Sequence, residues 1–338
     1  MGKRGTSKPR IGIVGFGRIA ELWHTPGLRK AGWSIEAALD VTPARREVAR
    51  GLGIPRVVDS LKALLEIELD AALVATHSSV RRRVIAPLAR AGLPLLVEKP
   101  LAMTGREAES ICRVCEEAGV PLSVFHNRRF DPDMLRVQRL VESGFLGEIF
   151  QVEDRLFERE PATRFGAAEF HQAWRVTASM GGGSMLDWGP HLVDQALTLY
   201  ECAGAGRVVS VTGDLRHVRW GDADDHFMAT LVFESGARAL VGKSDVAPIG
   251  PPHKWVVVGS EGSLVADWDR AEARNARGRT KRVESKPRAA SIHRNFREAI
   301  EGRAELLVTG RESLRVNRVF DAVRRSAANH GRSVRTNI

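Results

Sequence analysis

The sequence predicts an α/β chain of two domains: a doubly wound parallel sheet over residues 1–127, then an α+β domain over residues 128–338 on a largely antiparallel open sheet. Three observations carry this reading. At 338 residues the chain exceeds one ordinary core and suits two. Apolar runs and helix signals alternate through the first 127 residues, as in β–α–β units. Beyond them, apolar-polar strands come in pairs with glycine between, as in hairpins.

Taken in order, Arg10-Ile11-Gly12-Ile13-Val14 is an apolar run that stops at glycine, as a buried parallel strand does. Further strands are expected at Ser34–Leu39, Arg56–Val58 and residues 70–75, 93–97 and 121–125. Thr42-Pro43 offers an N-cap followed by proline at the first helical position, and Asp131-Pro132 repeats the device. Thr104-Gly105-Arg106-Glu107 reads as a capping box. In the second half, Ile149–Phe157 alternates and residues 208–218 do so less cleanly. Strands at 228–233 and 237–242 flank Glu234-Ser235-Gly236, and those at 255–258 and 263–266 flank a second glycine turn. Helices at 192–199, 294–300 and 314–328 are expected to cover one face of that sheet.

Hydrophobic residues at 43% and charged residues at 27% are those of a globular chain. No stretch approaches the ~20 apolar residues of a membrane span. Residues 1–10 are basic and polar without the apolar segment of a secretory signal, so they read as a solvated tail and the cytoplasm as the compartment. Cys112 and Cys115 fall inside a helical run, where small thiols pack, which argues against a redox pair. The net charge of +10 comes with arginine spread along the whole chain. Its densest run, residues 270–288 with Arg274, Arg277, Arg279, Lys281, Arg282 and Lys286, has no interleaved aromatics, so a solvated loop or hairpin is expected and nucleic acid is not. The overall positive field suits anionic substrates.

Gly15-Phe16-Gly17-Arg18-Ile19-Ala20 fits G-x-G-x-x-A. It follows the first strand, opens a helix and precedes Asp40 at the end of the second strand, which together make the Rossmann dinucleotide fingerprint. Gly15 permits the tight turn, Gly17 lets backbone approach a pyrophosphate, and the helix N-terminus favours its charge. Asp40 is placed to accept from the ribose hydroxyls, which favours NAD, since a 2′-phosphate there meets a like charge. Arg45 and Arg46 follow and soften that repulsion, which keeps NADP open.

Hydride transfer from an alcohol needs a group to take the hydroxyl proton. The only tyrosine, Tyr200, is followed four residues later by Gly204, not by the lysine of short-chain dehydrogenases. Three cysteines are too few for the zinc alcohol dehydrogenases, and no metal is expected. The chain offers Glu98-Lys99-Pro100 after the fifth strand, at the end of a doubly wound sheet where ligands bind. It also offers Gly181-Gly182-Gly183 ahead of Asp187-Trp188-Gly189-Pro190-His191. Pro190 suits a first helical turn, so His191 sits at a helix N-terminus, whose dipole keeps an imidazole neutral as a general base must be. Asp187, one short turn earlier, is placed to orient that ring or to hold a substrate hydroxyl. The glycines allow close backbone approach to a ligand.

This combination of motifs resembles the glucose–fructose oxidoreductase / inositol dehydrogenase / rhizopine-catabolism (Gfo/Idh/MocA) family over residues 10–334. The resemblance implies that Lys99, Asp187 and His191 form the catalytic group. It implies cofactor contacts at Gly15, Phe16, Gly17, Arg18, Ile19, Asp40, Thr76, His77, Glu98, Lys99 and Asn127. Substrate contacts follow at Lys99, Arg128, Trp174, Asp187 and His191, with Arg175 beside them. His126-Asn127-Arg128-Arg129-Phe130-Asp131 is similar to the branch with scyllo-inositol dehydrogenases. The implied activity is hydride transfer between NAD(P) and a secondary alcohol or ketone of a sugar, cyclitol or polyol. An NAD-dependent glycosidase using transient oxidation and a non-catalytic NAD-binding regulator are the alternatives. An open sheet with helices on one face implies a homodimer or homotetramer. The chain departs from the family where Thr76-His77-Ser78-Ser79-Val80-Arg81 carries His77 in place of a frequent proline and Arg81 in place of a frequent histidine.

Overall fold

Fully buried Ile11, Ile13, Ala71–Val74 and Leu95–Val97 set the first sheet, since strands covered on both faces must be apolar throughout. The structure is a computed structural model and describes residues 8–165, 172–283 and 291–338. The first seven residues of the expected tail and Lys286 of the basic run lie outside the described residues.

The strands are β1 (Arg10–Val14), β2 (Ser34–Leu39), β3 (Arg56–Val58), β4 (Ala71–Val74), β5 (Leu95–Val97), β6 (Leu122–Val124), β7 (Ile149–Phe157), β8 (Val208–Arg216), β9 (His226–Phe233), β10 (Arg238–Ser244), β11 (Trp255–Gly259), β12 (Gly262–Ala266), β13 (Ala271–Asn275), β14 (Thr280–Val283) and β15 (Val334–Arg335). The helices are α1 (Thr25–Lys30), α2 (Pro43–Gly51), α3 (Leu61–Leu65), α4 (Arg81–Arg90), α5 (Gly105–Glu117), α6 (Pro132–Glu142), α7 (Ser184–Asp187), α8 (Gly189–Cys202), α9 (Ile292–Ile300) and α10 (Gly310–Ala328).

One compact unit takes in Met1–Phe125, Phe165–Trp174 and Ser291–Leu314, the last two being stretches that the sequence assigns to the later domain. Its sheet is parallel in the order β3-β2-β1-β4-β5-β6, with the direction of winding reversing between β1 and β4. The returning segment is bound by specific contacts. Trp33 Nε1 donates to the His293 carbonyl at 3.0 Å, its ring stacks on Phe296, and Ser123 Oγ donates to the Val308 carbonyl at 2.9 Å.

Two of the three expected caps are built differently. Thr104 accepts the Glu107 amide at 3.2 Å, while the Glu107 carboxylate reaches back to the amide of Met103. Thr42 and Asp131 accept no helix amide. Asp40 Oδ1 instead takes the Thr42 N–H at 2.8 Å, and Asp131 pairs with Arg128, so Pro43 and Pro132 alone preset those first turns. Cys112 and Cys115 are buried in α5, and burial pushes the Cys115 thiol up to about 12, as befits packed rather than redox-active thiols.

The second unit comprises His126–Arg164, Arg175–Ala290 and Arg315–Ile338. Its nine-stranded sheet runs β14-β13-β12-β11-β7-β10-β9-β8-β15, antiparallel except where β10 lies parallel to β7. Val152, Leu192, Ala196, Phe227, Val241, Phe320 and Val323 share one core between the sheet and its helices. The described part of the basic run forms the β13–β14 hairpin, whose outer strand is exposed as a charged edge should be. No described helix is long and apolar enough to cross a membrane.

Candidate functional site

In the first unit the fingerprint loop is set by local geometry. Gly15 has φ +86°, and a Cβ there would lie 2.8 Å from the Thr76 amide nitrogen, so no other residue fits this turn. A Cβ on Gly17 would meet nothing within 4 Å, which leaves open space over that backbone. Asp40 is wired to the loop: Oδ2 accepts the Phe16 N–H at 2.7 Å while Oδ1 holds Thr42. Each oxygen keeps a further lone pair for a hydroxyl donor. Buried Arg45 donates to the Phe16 carbonyl at 2.8 Å and to Glu21 at 2.6 Å, and Arg46 donates to the carbonyls of Asp40 and Val41. Arg18 is exposed and Ile19 half-buried beside them. Beyond β4, the Thr76 and Ser78 hydroxyls are buried with no hydrogen-bond partner, and His77 Nδ1 meets Ser79 Oγ at 2.8 Å.

Glu98 turns inward while Lys99 follows it through a cis peptide to Pro100. The Glu98 carboxylate accepts from His24 Nε2 at 2.9 Å and from the Lys99 N–H at 3.0 Å. Burial alone would raise its pKa, but the His24 hydrogen bond and the surrounding charges hold it below the usual range. His24 closes a π-helical turn, Ala20–His24, and its Nδ1 faces His293 Nε2 at 2.9 Å. Burial first, then His24, pushes His293 down to about 3. Sequence reasoning passed over both histidines. A signal existed for His24, since Ala20, His24 and Leu28 recur at helical spacing on one buried face. None existed for His293.

In the second unit the last of the three glycines meets a local steric demand. Gly183 has φ +107°, and a Cβ there would strike Asp224, whose carboxylate accepts the Met185 N–H at 2.7 Å and whose carbonyl accepts that of Ser184. This fixes α7 and hence Asp187, which pairs with Arg175, both side chains almost wholly buried. Pro190 lies in the first turn of α8 with buried His191 after it, as the sequence predicts. The Trp188 ring meets the His191 ring edge-on at 5.7 Å and carries the Arg128 guanidinium 4.2 Å over its face. Asn127 and Arg128 stand on a 3-10 turn, Asn127–Phe130, held against α8. Gln195 donates to the Arg128 carbonyl at 2.7 Å, and Arg129 forks onto Asp194 at 2.6 and 3.1 Å. Trp268, absent from the sequence reading, also lies within 5.7 Å of Arg128. Trp174 is half-buried and groups with the first unit.

Residues 9–126 match the oxidoreductase family with an NAD-binding Rossmann fold, and residues 134–265 match the GFO/IDH/MocA C-terminal domain. The chain belongs to the Gfo/Idh/MocA oxidoreductase family. Among Gfo/Idh/MocA relatives, scyllo-inositol 2-dehydrogenase (NADP(+)) IolW of Bacillus subtilis is 27% identical, over 96% of either chain. Inositol 2-dehydrogenase of Rhizobium meliloti is also 27% identical, over 94% of this chain and 97% of its own. The crystal structure of an NAD-binding protein from Listeria innocua has a TM-score of 0.85 at 27% identity, over 97% of each chain.

As a Gfo/Idh/MocA oxidoreductase the chain binds NAD(P) on its Rossmann sheet. The residues present fit that cofactor: the positive φ at Gly15, the open space at Gly17, the Asp40 carboxylate and the orphaned Thr76 hydroxyl. Among the described residues no group of His, Cys, Asp or Glu is disposed to hold a metal ion.

Proposed function

We propose that this chain is an NAD-preferring dehydrogenase or reductase acting on a secondary alcohol or ketone of a cyclitol, sugar or related polyol. The observation that carries the reading is the buried His191 in the first turn of α8, beside a tryptophan that carries Arg128. A helix N-terminus disfavours imidazolium, which suits His191 to take the proton from a hydroxyl at its ring nitrogen. Lys99 holds the reacting oxygen through its ammonium, and Arg128 and Asp187 bind the remaining hydroxyls. The nicotinamide supplies or accepts the hydride when bound. The names of IolW and the Rhizobium meliloti relative support cyclitols as the first class to try. We take the enzyme to be a cytoplasmic homodimer or homotetramer.

The test is NADH formation with NAD+ over a panel of scyllo-inositol, myo-inositol and D-glucose, then the same assay on Lys99→Met and His191→Ala. Both variants should lose roughly 10²–10⁴-fold in turnover, the usual worth of acid–base assistance, while NAD+ binding holds. The acid limb of the pH–rate profile should vanish in His191→Ala. A His191→Ala enzyme at wild-type turnover would overturn the assignment. A cofactor that returns to its oxidised form on each turnover, with a glycoside cleaved, would mark the glycosidase instead.

A further inference from the structure

We propose that Arg81 is the positioning residue of Lys99: its buried guanidinium grips the carbonyls on either side of Lys99 and ties that turn to the turn after β4. The inference rests on the reading of Lys99 given above. Arg81 is the first residue of α4, 3% exposed, and all of its placed donors go to backbone oxygens. Nε and Nη2 donate to the Thr76 carbonyl at 3.0 and 2.7 Å, and Nη1 donates to the carbonyls of Glu98 and Pro100. The backbone amides are held as well, Glu98 N–H by the Val74 carbonyl at 2.9 Å and Lys99 N–H by the Glu98 carboxylate. The main chain around Lys99 is therefore pinned from Glu98 to Pro100. A planar fork suits this task, because it spans two turns with five fixed donors. A lysine ammonium cannot cover the same three carbonyls. Burial lowers the Arg81 pKa to about 10 and the Glu98 charge opposes that, so the guanidinium stays charged at neutral pH.

Misplacing a reacting group by an ångström costs on the order of 10²-fold in rate. Arg81→Ala and Arg81→Lys should each lower kcat by about that factor with the fastest panel substrate. NAD+ affinity, measured by fluorescence titration, should weaken by no more than about tenfold, about the net worth of one hydrogen bond. In a Lys99→Met background Arg81→Ala should cost nothing further, because it acts through a group already gone. Losses that multiply in the double variant would overturn the proposal, and so would an Arg81→Lys enzyme with full kcat. A Lys99→Met enzyme at wild-type rate would fell the Lys99 reading and this one with it. Hydrogen exchange gives a readout without turnover. Arg81→Lys should speed exchange in residues 76–80 and 98–102 together, leaving β4 and β5 unchanged, and an unaltered 98–102 segment would also overturn the proposal. Should Arg81→Ala not fold, Arg81→Lys carries the same cycle.

Discussion

Asp40 directly follows β2 with each carboxylate oxygen already holding a backbone amide, so the residue proposed to face the ribose also shapes the glycine loop. Arg45 and Arg46, the residues that would welcome a 2′-phosphate, are spent on carbonyls and on Glu21. Wild-type protein should therefore bind NAD+ more tightly than NADP+. Asp40→Ala should weaken NAD+ binding by about 1–3 kcal/mol, since the Phe16 amide loses its acceptor. It should affect NADP+ less, narrowing the gap between the two. Titration of both cofactors checks this, and equal affinity in the wild type would sink it. Gly15 and Asp40 were legible in the sequence because each answers a constraint felt within one turn or one β–α–β unit. His24 with His293, 269 residues apart, and Trp268 beside Arg128 were not, because nothing local marks a pairing made by tertiary packing.

At the scale of elements, regular apolar periodicity was enough to place the strands of the first sheet and α5, α8 and α10. The β13–β14 hairpin was legible only as a loop or hairpin over the basic run, because an edge strand of Thr280-Lys281-Arg282-Val283 carries charge where a central strand carries valine. The caps at Thr42 and Asp131 failed for a different reason. Arg128 occupies the Asp131 carboxylate, while at Thr42 the helix amides of Arg45 and Arg46 go to the Thr42 carbonyl and its own N–H goes to Asp40. The second sheet also holds a row that register alone reveals: Thr230, Leu240, Glu153, Val256 and Val265 lie side by side and partly exposed, on the face opposite the shared core. A mostly uncharged row of this kind suits contact with a second copy. Light scattering at micromolar concentration should give a dimer or tetramer, and Leu240→Arg with Val256→Arg should shift it toward monomer. A wild-type monomer would refute the expectation.

For the molecule as a whole, two buried groups tilt stability in opposite senses with pH. Asp154 is fully buried, neither oxygen has a hydrogen-bond partner, and Lys254 Nζ stands 3.7 Å away while pairing with Asp133 at 2.5 Å. Burial pushes Asp154 up to about 7, against the pull of Lys254. The folded state thus holds a proton that the unfolded chain releases, and stability falls as pH rises from about 4 to 7. His293 is pushed down to about 3, so the unfolded chain binds the extra proton and stability falls as pH drops below about 6.5. Asp154→Asn should leave stability at pH 4 almost unchanged and add roughly 2–4 kcal/mol at pH 8. Thermal melts across that range test it, and a variant less stable than wild type at pH 8 would contradict the assignment.

The return of Ser291–Leu314 to the first unit bears on how the protein is made. Its Rossmann sheet is synthesised by Phe125, yet the partners of the Trp33 indole, the Ser123 hydroxyl and the His24 ring come with His293 and Val308. At a ribosomal pace of about 5–20 residues per second, the half-finished nucleotide domain waits roughly ten to forty seconds for them. During that interval a buried histidine and a buried indole lack the groups that satisfy them. Completion of the cofactor domain is therefore deferred until nearly all of the other has been translated.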